Sequence, residues 1–153
     1  MCGIAGIVNL NNSPIHDINI VPRMLASITH RGPNEWGDYI DNNTHIGAVR
    51  LSIMDVENGN QPSCTEEKQH IAVYNGEIYN YKTLASNLKN IGCNIPNNSD
   101  TAILPYMHKA YGIDFITQLR GMFAFAIRDT SQNKLHLVRD RLGIKPLFYS
   151  KTK

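Results

Sequence analysis

The stretch MCGIAGIVN, residues 1–9, joins a candidate nucleophile to a candidate core strand. Residues 3–9 form an apolar run interrupted by Gly3 and Gly6, the pattern of a buried strand whose backbone lies close to another group. Cys2 stands at the head of that strand. Methionine aminopeptidases act when the second side chain is small, so removal of Met1 would leave a thiol and a free α-amine on one residue. The amine's reference pKa of about 7.7–8.0 is close to the thiol's roughly 8.5. Such a residue carries its own base, and proton transfer between the two groups is nearly isoenergetic at neutral pH. A small core thiol is the competing reading of Cys2, and the rest of the chain decides between them.

Outward from this strand, VPRMLASITH (21–30) spaces Val21, Met24, Leu25 and Ile28 at helical intervals, with Pro22 in the first turn. RGPNEWG (31–37) follows as a turn-rich loop that could close over a site. WGDYI (36–40), HIGAVRLSI (45–53) and the alternating HIAVYN (70–75) read as strands, the last running into Gly76, with a polar stretch from Asp55 to Gln69 between them. Two helices come next. NYKTLASNLKNIG (80–92) puts Leu84, Leu88 and Ile91 on one face, and SDTAILPYMHKAYG (99–112) opens on a capping pair and contains Pro105, which should kink or shorten it. GMFAFAIRD (121–129), TSQNK and KLHLVRD (134–140) form a hairpin, and LGIKPLFYS (142–150) leads into what reads as another strand. Strands, helices, then strands make a layered α+β arrangement rather than a βαβ repeat.

The 153 residues, 42% of them hydrophobic, suit one core and one domain. Fifteen basic and 13 acidic residues give a formal charge of +2 and are scattered along the chain. They make no electrostatic case for nucleic acid or membrane partners. The longest apolar stretch, near residues 121–127, is far short of a bilayer span, and no signal peptide opens the chain, so a soluble cytoplasmic protein is expected. Three cysteines, Cys2, Cys64 and Cys93, form no CxxC pair, and no histidine stands at metal-ligand spacing. Neither a disulfide framework nor a metal site is expected, and Cys64 and Cys93 read as ordinary thiols.

YNGEIYNY (74–81) supplies what a nucleophile would need. A strand ending in Asn-Gly offers a side-chain amide beside an unhindered backbone N–H, a sensible pair for holding an oxyanion. Asn-Gly is also the commonest hairpin-turn dipeptide, so that pair alone does not decide.

MCGIAGIV, HRGP (30–33), RLSIMD (50–55), NGEIYNY, SDT (99–101), LRGMFAFAIRD (119–129) and RDRLGIKPLFY (139–149), in this order, resemble the class II glutamine amidotransferase domain of glutamine-hydrolysing asparagine synthetases. The resemblance covers nearly the whole chain. It implies an N-terminal-nucleophile hydrolase αββα sandwich, two antiparallel sheets between helical layers, with residues 2–153 as a glutaminase domain whose C-terminal strands are truncated. It also implies Cys2 as nucleophile, with the Asn75 side chain and the Gly76 N–H as the oxyanion hole. Arg50 would grip the α-carboxylate of L-glutamine, a task suited to a planar bidentate cation. Asp100 would take the α-ammonium, with Glu77 beside it and backbone contacts from Leu51, Ser52, Ile53 and Met54. No cofactor is expected for glutamine hydrolysis. ATP and Mg would belong to a synthetase domain absent from these residues, which hold no SGGxDS-type loop. The partners implied are a synthetase domain or acceptor subunit, and a homodimer is left open.

Two departures from the family pattern, Ala48 in GAVRLSI and Ala102 after SDT, are expected to loosen support around the pocket. The truncated C-terminal strands and Ala48 leave open a catalytically silent binding or regulatory module of the same fold. An amide hydrolase for another substrate is a further alternative, against which Arg50 and Asp100 together argue.

Overall fold

The computed structural model describes residues 2–51, 59–97 and 99–152. Three strands, β1 (Gly3–Val8), β2 (Glu35–Ile40) and β3 (Thr44–Arg50), form an antiparallel sheet in the order β1-β3-β2. Four more, β4 (Ser63–Cys64), β5 (His70–Ile78), β6 (Gly121–Asp129) and β7 (Lys134–Arg139), form a second antiparallel sheet in sequence order. Ile46 and Ala48 of β3 meet Ile71 and Val73 of β5 and Ala126 of β6 between the two sheets.

Helix α1 (Ile20–Ser27) covers the first sheet, burying Val21 and Leu25 against Val49. Helices α2 (Tyr81–Asn90) and α3 (Asp100–Tyr111) cover the second, where Leu84, Leu88, Ile103 and Met107 pack with Tyr74, Ile78, Phe123 and Phe125. The layers are therefore helix, sheet, sheet, helix, as the resemblance implies. Because β5 and β6 are covered on both faces, they are buried along most of their length. No helix among the described residues is long and apolar enough to cross a membrane.

Several local expectations change. Met24 is exposed because α1 buries a narrower stripe than its apolar spacing suggests, and Ile91 is exposed because α2 ends at Asn90, one residue before it. Asn75 and Gly76 form no turn: β5 passes straight through them to Ile78. Pro105 does not shorten α3. The carbonyl of Thr101, four residues earlier, cannot bond to a proline nitrogen and instead accepts the Ser63 hydroxyl at 3.0 Å, tying β4 to the helix. Residues 142–150 form no strand, and Phe148 and Tyr149 are exposed, since no neighbouring strand pairs with them among the described residues.

Candidate active site

The first sheet supplies one wall of the site through its register. Gly3 lies opposite Val49, which brings Cys2 beside Arg50 at the end of β3, and Arg50 lies opposite Glu35 of β2. Arg50 is buried and donates from Nη1 to Glu35 Oε2 at 2.8 Å. Cys2 is held by its backbone, its carbonyl accepting from Arg31 Nε at 3.2 Å, while its Sγ faces the Leu51 carbonyl at 4.0 Å. The turn-rich segment after α1 is built into this wall. Pro33 bridges to Arg50, and the Asn34 N–H donates to the Arg50 carbonyl at 3.2 Å. A Cβ on Gly32 would stand 2.5 Å from the Arg50 nitrogen, so only glycine allows this approach.

The second sheet supplies the facing wall. Phe123 spends both backbone groups on Asp140: its N–H donates to Oδ2 at 3.2 Å, and its carbonyl accepts the Asp140 N–H at 2.8 Å. Both groups therefore point away from β5. Gly76, its register partner, must likewise point its N–H away from β6, toward the free side of β5. On that side the Tyr74 N–H is taken by Gln61 Oε1 at 2.7 Å and the Ile78 N–H by Asp100 Oδ2 at 3.0 Å. The Gly76 N–H between them has no partner among the described residues. The Asn75 side chain shares the inter-sheet face of Ile71 and Val73, is 4% exposed, and makes no hydrogen bond among the described residues. A Cβ on Gly76 would collide with the Met122 carbonyl and stand 2.7 Å from Phe123 Cα, so β6 can close up only behind a glycine.

Asp100 is the first residue of α3. Ser99, not Asp100, caps the helix, its Oγ accepting the Ala102 N–H at 3.1 Å. Asp100 is thereby left to serve the site, and its Oδ2 accepts the Tyr74 hydroxyl at 2.6 Å. Burial pushes the Asp100 carboxyl above its ordinary value of 3.8, against the opposing pull of the hydrogen bonds from Tyr74 and Ile78. Burial also raises the Tyr74 phenol, and the neighbouring Asp100 carboxylate raises it further.

Cys2, Arg50, Leu51, Asn75, Gly76, Glu77 and Asp100 all border one cavity of about 240 Å³, room for an amino-acid-sized molecule. Ser52, Ile53 and Met54 lie outside the described residues. Ala48 and Ala102 do not border this cavity; both are buried in the core, and Ala48 also lines a smaller hollow behind Arg50. Sequence reasoning missed Tyr74, Gln61 and Lys145, which also border it. Gln61 gives no sign in the sequence that its amide would pair with both backbone groups of Tyr74, at 2.7 and 2.9 Å, like one more residue of strand. Tyr74 had a signal, its position immediately before the Asn-Gly pair.

Residues 1–153 match the family described as glutamine amidotransferase domain. The chain is 41% identical over 155 residues to asparagine synthetase (glutamine-hydrolysing) 2 of Bacillus subtilis strain 168, covering 100% of this chain and 20% of that protein. It is 38% identical to an amidase of Gibberella zeae, covering 98% of this chain and 24% of that one. Among solved structures, the glutamine phosphoribosylpyrophosphate amidotransferase of B. subtilis superposes with a TM-score of 0.75 at 21% identity, over 94% of this chain and 38% of the other. The likeness to that structure is one of fold. The chain spans about a fifth to a quarter of the length of these curated relatives.

Proposed function

We propose a function from one premise: the chain belongs to the glutamine amidotransferase domain family. It hydrolyses L-glutamine to glutamate and ammonia at Cys2, and the ammonia passes to an ATP- and Mg-dependent synthetase domain or acceptor subunit. The observation that carries this reading is the convergence of Cys2, just before β1, Arg50 of β3, Asn75 and Gly76 of β5, and Asp100 of α3 on a single cavity.

The steps follow from the chemistry of those groups. With Met1 removed, the Cys2 amine takes the thiol proton, and the sulfur attacks the side-chain carbonyl carbon of glutamine. The Asn75 amide and the Gly76 N–H, both aimed at the cavity and unspent on the fold, hold the resulting oxyanion. The carbon–nitrogen bond then breaks as the Cys2 ammonium returns its proton to the leaving nitrogen, releasing ammonia and leaving a thioester. Water, deprotonated by the same amine, attacks the thioester, and the departing sulfur regains a proton as glutamate leaves. Arg50 binds the α-carboxylate while Asp100 and Glu77 face the α-ammonium, so the site selects a free amino acid. Leu51 adds a backbone carbonyl next to the nucleophile. Three free cysteines suit a reducing compartment such as the cytoplasm.

Asparagine synthesis is the acceptor reaction that the printed name of the B. subtilis relative supports. The test is ammonia release from glutamine by the chain beside Cys2→Ala, with intact mass recording whether Met1 is gone. Release by the processed chain and none by Cys2→Ala is the expected result. A processed chain that folds, binds glutamine and releases nothing would instead be a silent binding module.

A further inference from the structure

At the far end of the second sheet the fold gathers a second set of polar side chains that glutamine chemistry does not use. His70 opens β5, and Asp129 lies opposite it at the close of β6. His108, in the third turn of α3, packs over them with its Nδ1 2.9 Å from His70 Nδ1. His136 of β7 stands beside His108, the two ring centroids 5.1 Å apart. His70, His108 and Asp129 are all buried.

We infer that His70, His108 and Asp129, with His136 beside them, form a binding site for a divalent late transition metal of the zinc class. One donor atom from each of the first three lies within 4.8 Å of the others. Donors on a tetrahedral zinc stand about 3.3 Å apart, given Zn–N and Zn–O distances near 2.0–2.2 Å. The two Nδ1 atoms would part by less than half an ångström and the carboxylate would swing inward. His136 or a water would complete the coordination.

The Ser131 hydroxyl and the Gln132 N–H donate to Asp129 Oδ1 at 2.7 and 3.0 Å and orient the carboxylate. Oδ2 carries no hydrogen bond among the described residues. Binding replaces the hydrogen bond between the two Nδ1 atoms. The proton it used moves to an Nε2 tautomer, and no redox step is involved. Imidazole and carboxylate donors favour zinc, cobalt, nickel or copper over magnesium or calcium.

His108 lies eight residues along α3 from Asp100, about 12 Å by helical rise. The metal would not touch substrate there. It would clamp α3 to the second sheet, independently of the reaction proposed for Cys2.

The experiment is calorimetric titration of the chelator-stripped chain with Zn²⁺, paired with the visible spectrum of the Co²⁺ form. The expected result is one equivalent bound, a raised thermal midpoint, and ligand-field bands without a thiolate charge-transfer band. Binding should weaken at least 100-fold in His108→Gln and His70→Gln and persist in Cys2→Ser and in His16→Gln, an exposed control. No stoichiometric binding, binding unchanged in His108→Gln, or a thiolate band would overturn the site. Should those variants fail to fold, histidine side-chain NMR of the unaltered chain decides. Zinc must shift the His70 and His108 resonances and leave that of His16 in place.

Discussion

The Tyr74 hydroxyl donates to Asp100 Oδ2 at 2.6 Å, and the same oxygen takes the Ile78 N–H at 3.0 Å. One carboxylate oxygen therefore ties α3 to β5 at the cavity, while burial makes the charge it carries costly.

Because the Asp100 carboxyl sits above 3.8 in the folded protein, it protonates at a higher pH than an ordinary aspartate, and only the ionised form pairs with an α-ammonium. The acid limb of kcat/KM for glutamine should therefore fall above the usual carboxylate range. Tyr74→Phe removes a hydrogen bond that opposes the rise, so the limb should move to still higher pH; a limb that stays put or moves down would contradict the pairing. The stability sign follows from the same shift. A raised carboxyl favours the fold below its unfolded pKa, and that contribution is lost as pH rises through the folded value. Asp100→Asn should thus raise the thermal midpoint at pH 7 while raising KM by about 30-fold or more through loss of the charge pair. Thermal melts and initial rates on one preparation check both signs.

The oxyanion assignment separates binding from turnover. Asn75→Ala should lower kcat by about 100- to 1000-fold with little change in KM, since its amide acts on charge that develops during reaction. Gly76→Ala has a different fate. Its methyl group would meet the Met122 carbonyl and Phe123, so β5 and β6 must part, with loss of thermal stability as well as turnover. Near-normal kcat in Asn75→Ala, measured by ammonia release, would remove that side chain from the mechanism.

Much of this was legible in the sequence for local reasons. The apolar runs of β1, β5 and β6 and the Gly92 and Gly112 stops of the helices are properties of short windows, and the structure keeps them. Cys2, Arg50, Asn75 and Asp100, which share one cavity, were singled out through ordered motifs rather than through physics, because each has an ordinary structural role when read alone. What stayed hidden depends on register between distant segments. Nothing local says that Gln61 would bond along β5, that Asp140 would hold both backbone groups of Phe123, or that His70, His108 and Asp129, so far apart in sequence, would meet. Residues 142–150 misled for the opposite reason: the stretch reads as leading into a strand, but a strand needs a neighbour.

Arg31 holds the backbone of Cys2, since its Nε donates to the Cys2 carbonyl at 3.2 Å from a turn pinned to β3, and under the proposed mechanism it would position the nucleophile. Arg31→Ala should lower kcat by about tenfold, in keeping with loss of one charge-assisted hydrogen bond. KM should change little, because Arg31 does not border the cavity. Labelling of Cys2 by a glutamine-like electrophile should slow in parallel with kcat, whereas labelling by a small neutral alkylating reagent should not. Equal slowing with both reagents would point to general loosening instead.

Asp140 lies behind Gly76 without bordering the cavity. Its carboxylate accepts the N–H groups of Phe123, Leu142, Ile144 and Lys145 at 3.0–3.2 Å, fixing the strand behind Gly76 and the turn that brings Lys145 to the cavity. Burial would raise this carboxyl, but the donors, led by Lys145 and Ile144, outweigh it and hold the group below 3.8. A lowered carboxyl stabilises the fold above its unfolded pKa, and that stability is lost as pH falls through the folded value. Asp140→Asn should therefore lower the thermal midpoint at pH 7 by roughly 5 °C, as loss of charge weakens several hydrogen bonds at once. The gap from the unaltered chain should begin to narrow as pH falls below about 4 and close only below the folded value, where both carry a neutral group. If Asp140 acts through Gly76, kcat must also fall at temperatures well below the variant's melt. A destabilised variant with unchanged kcat would limit Asp140 to the fold.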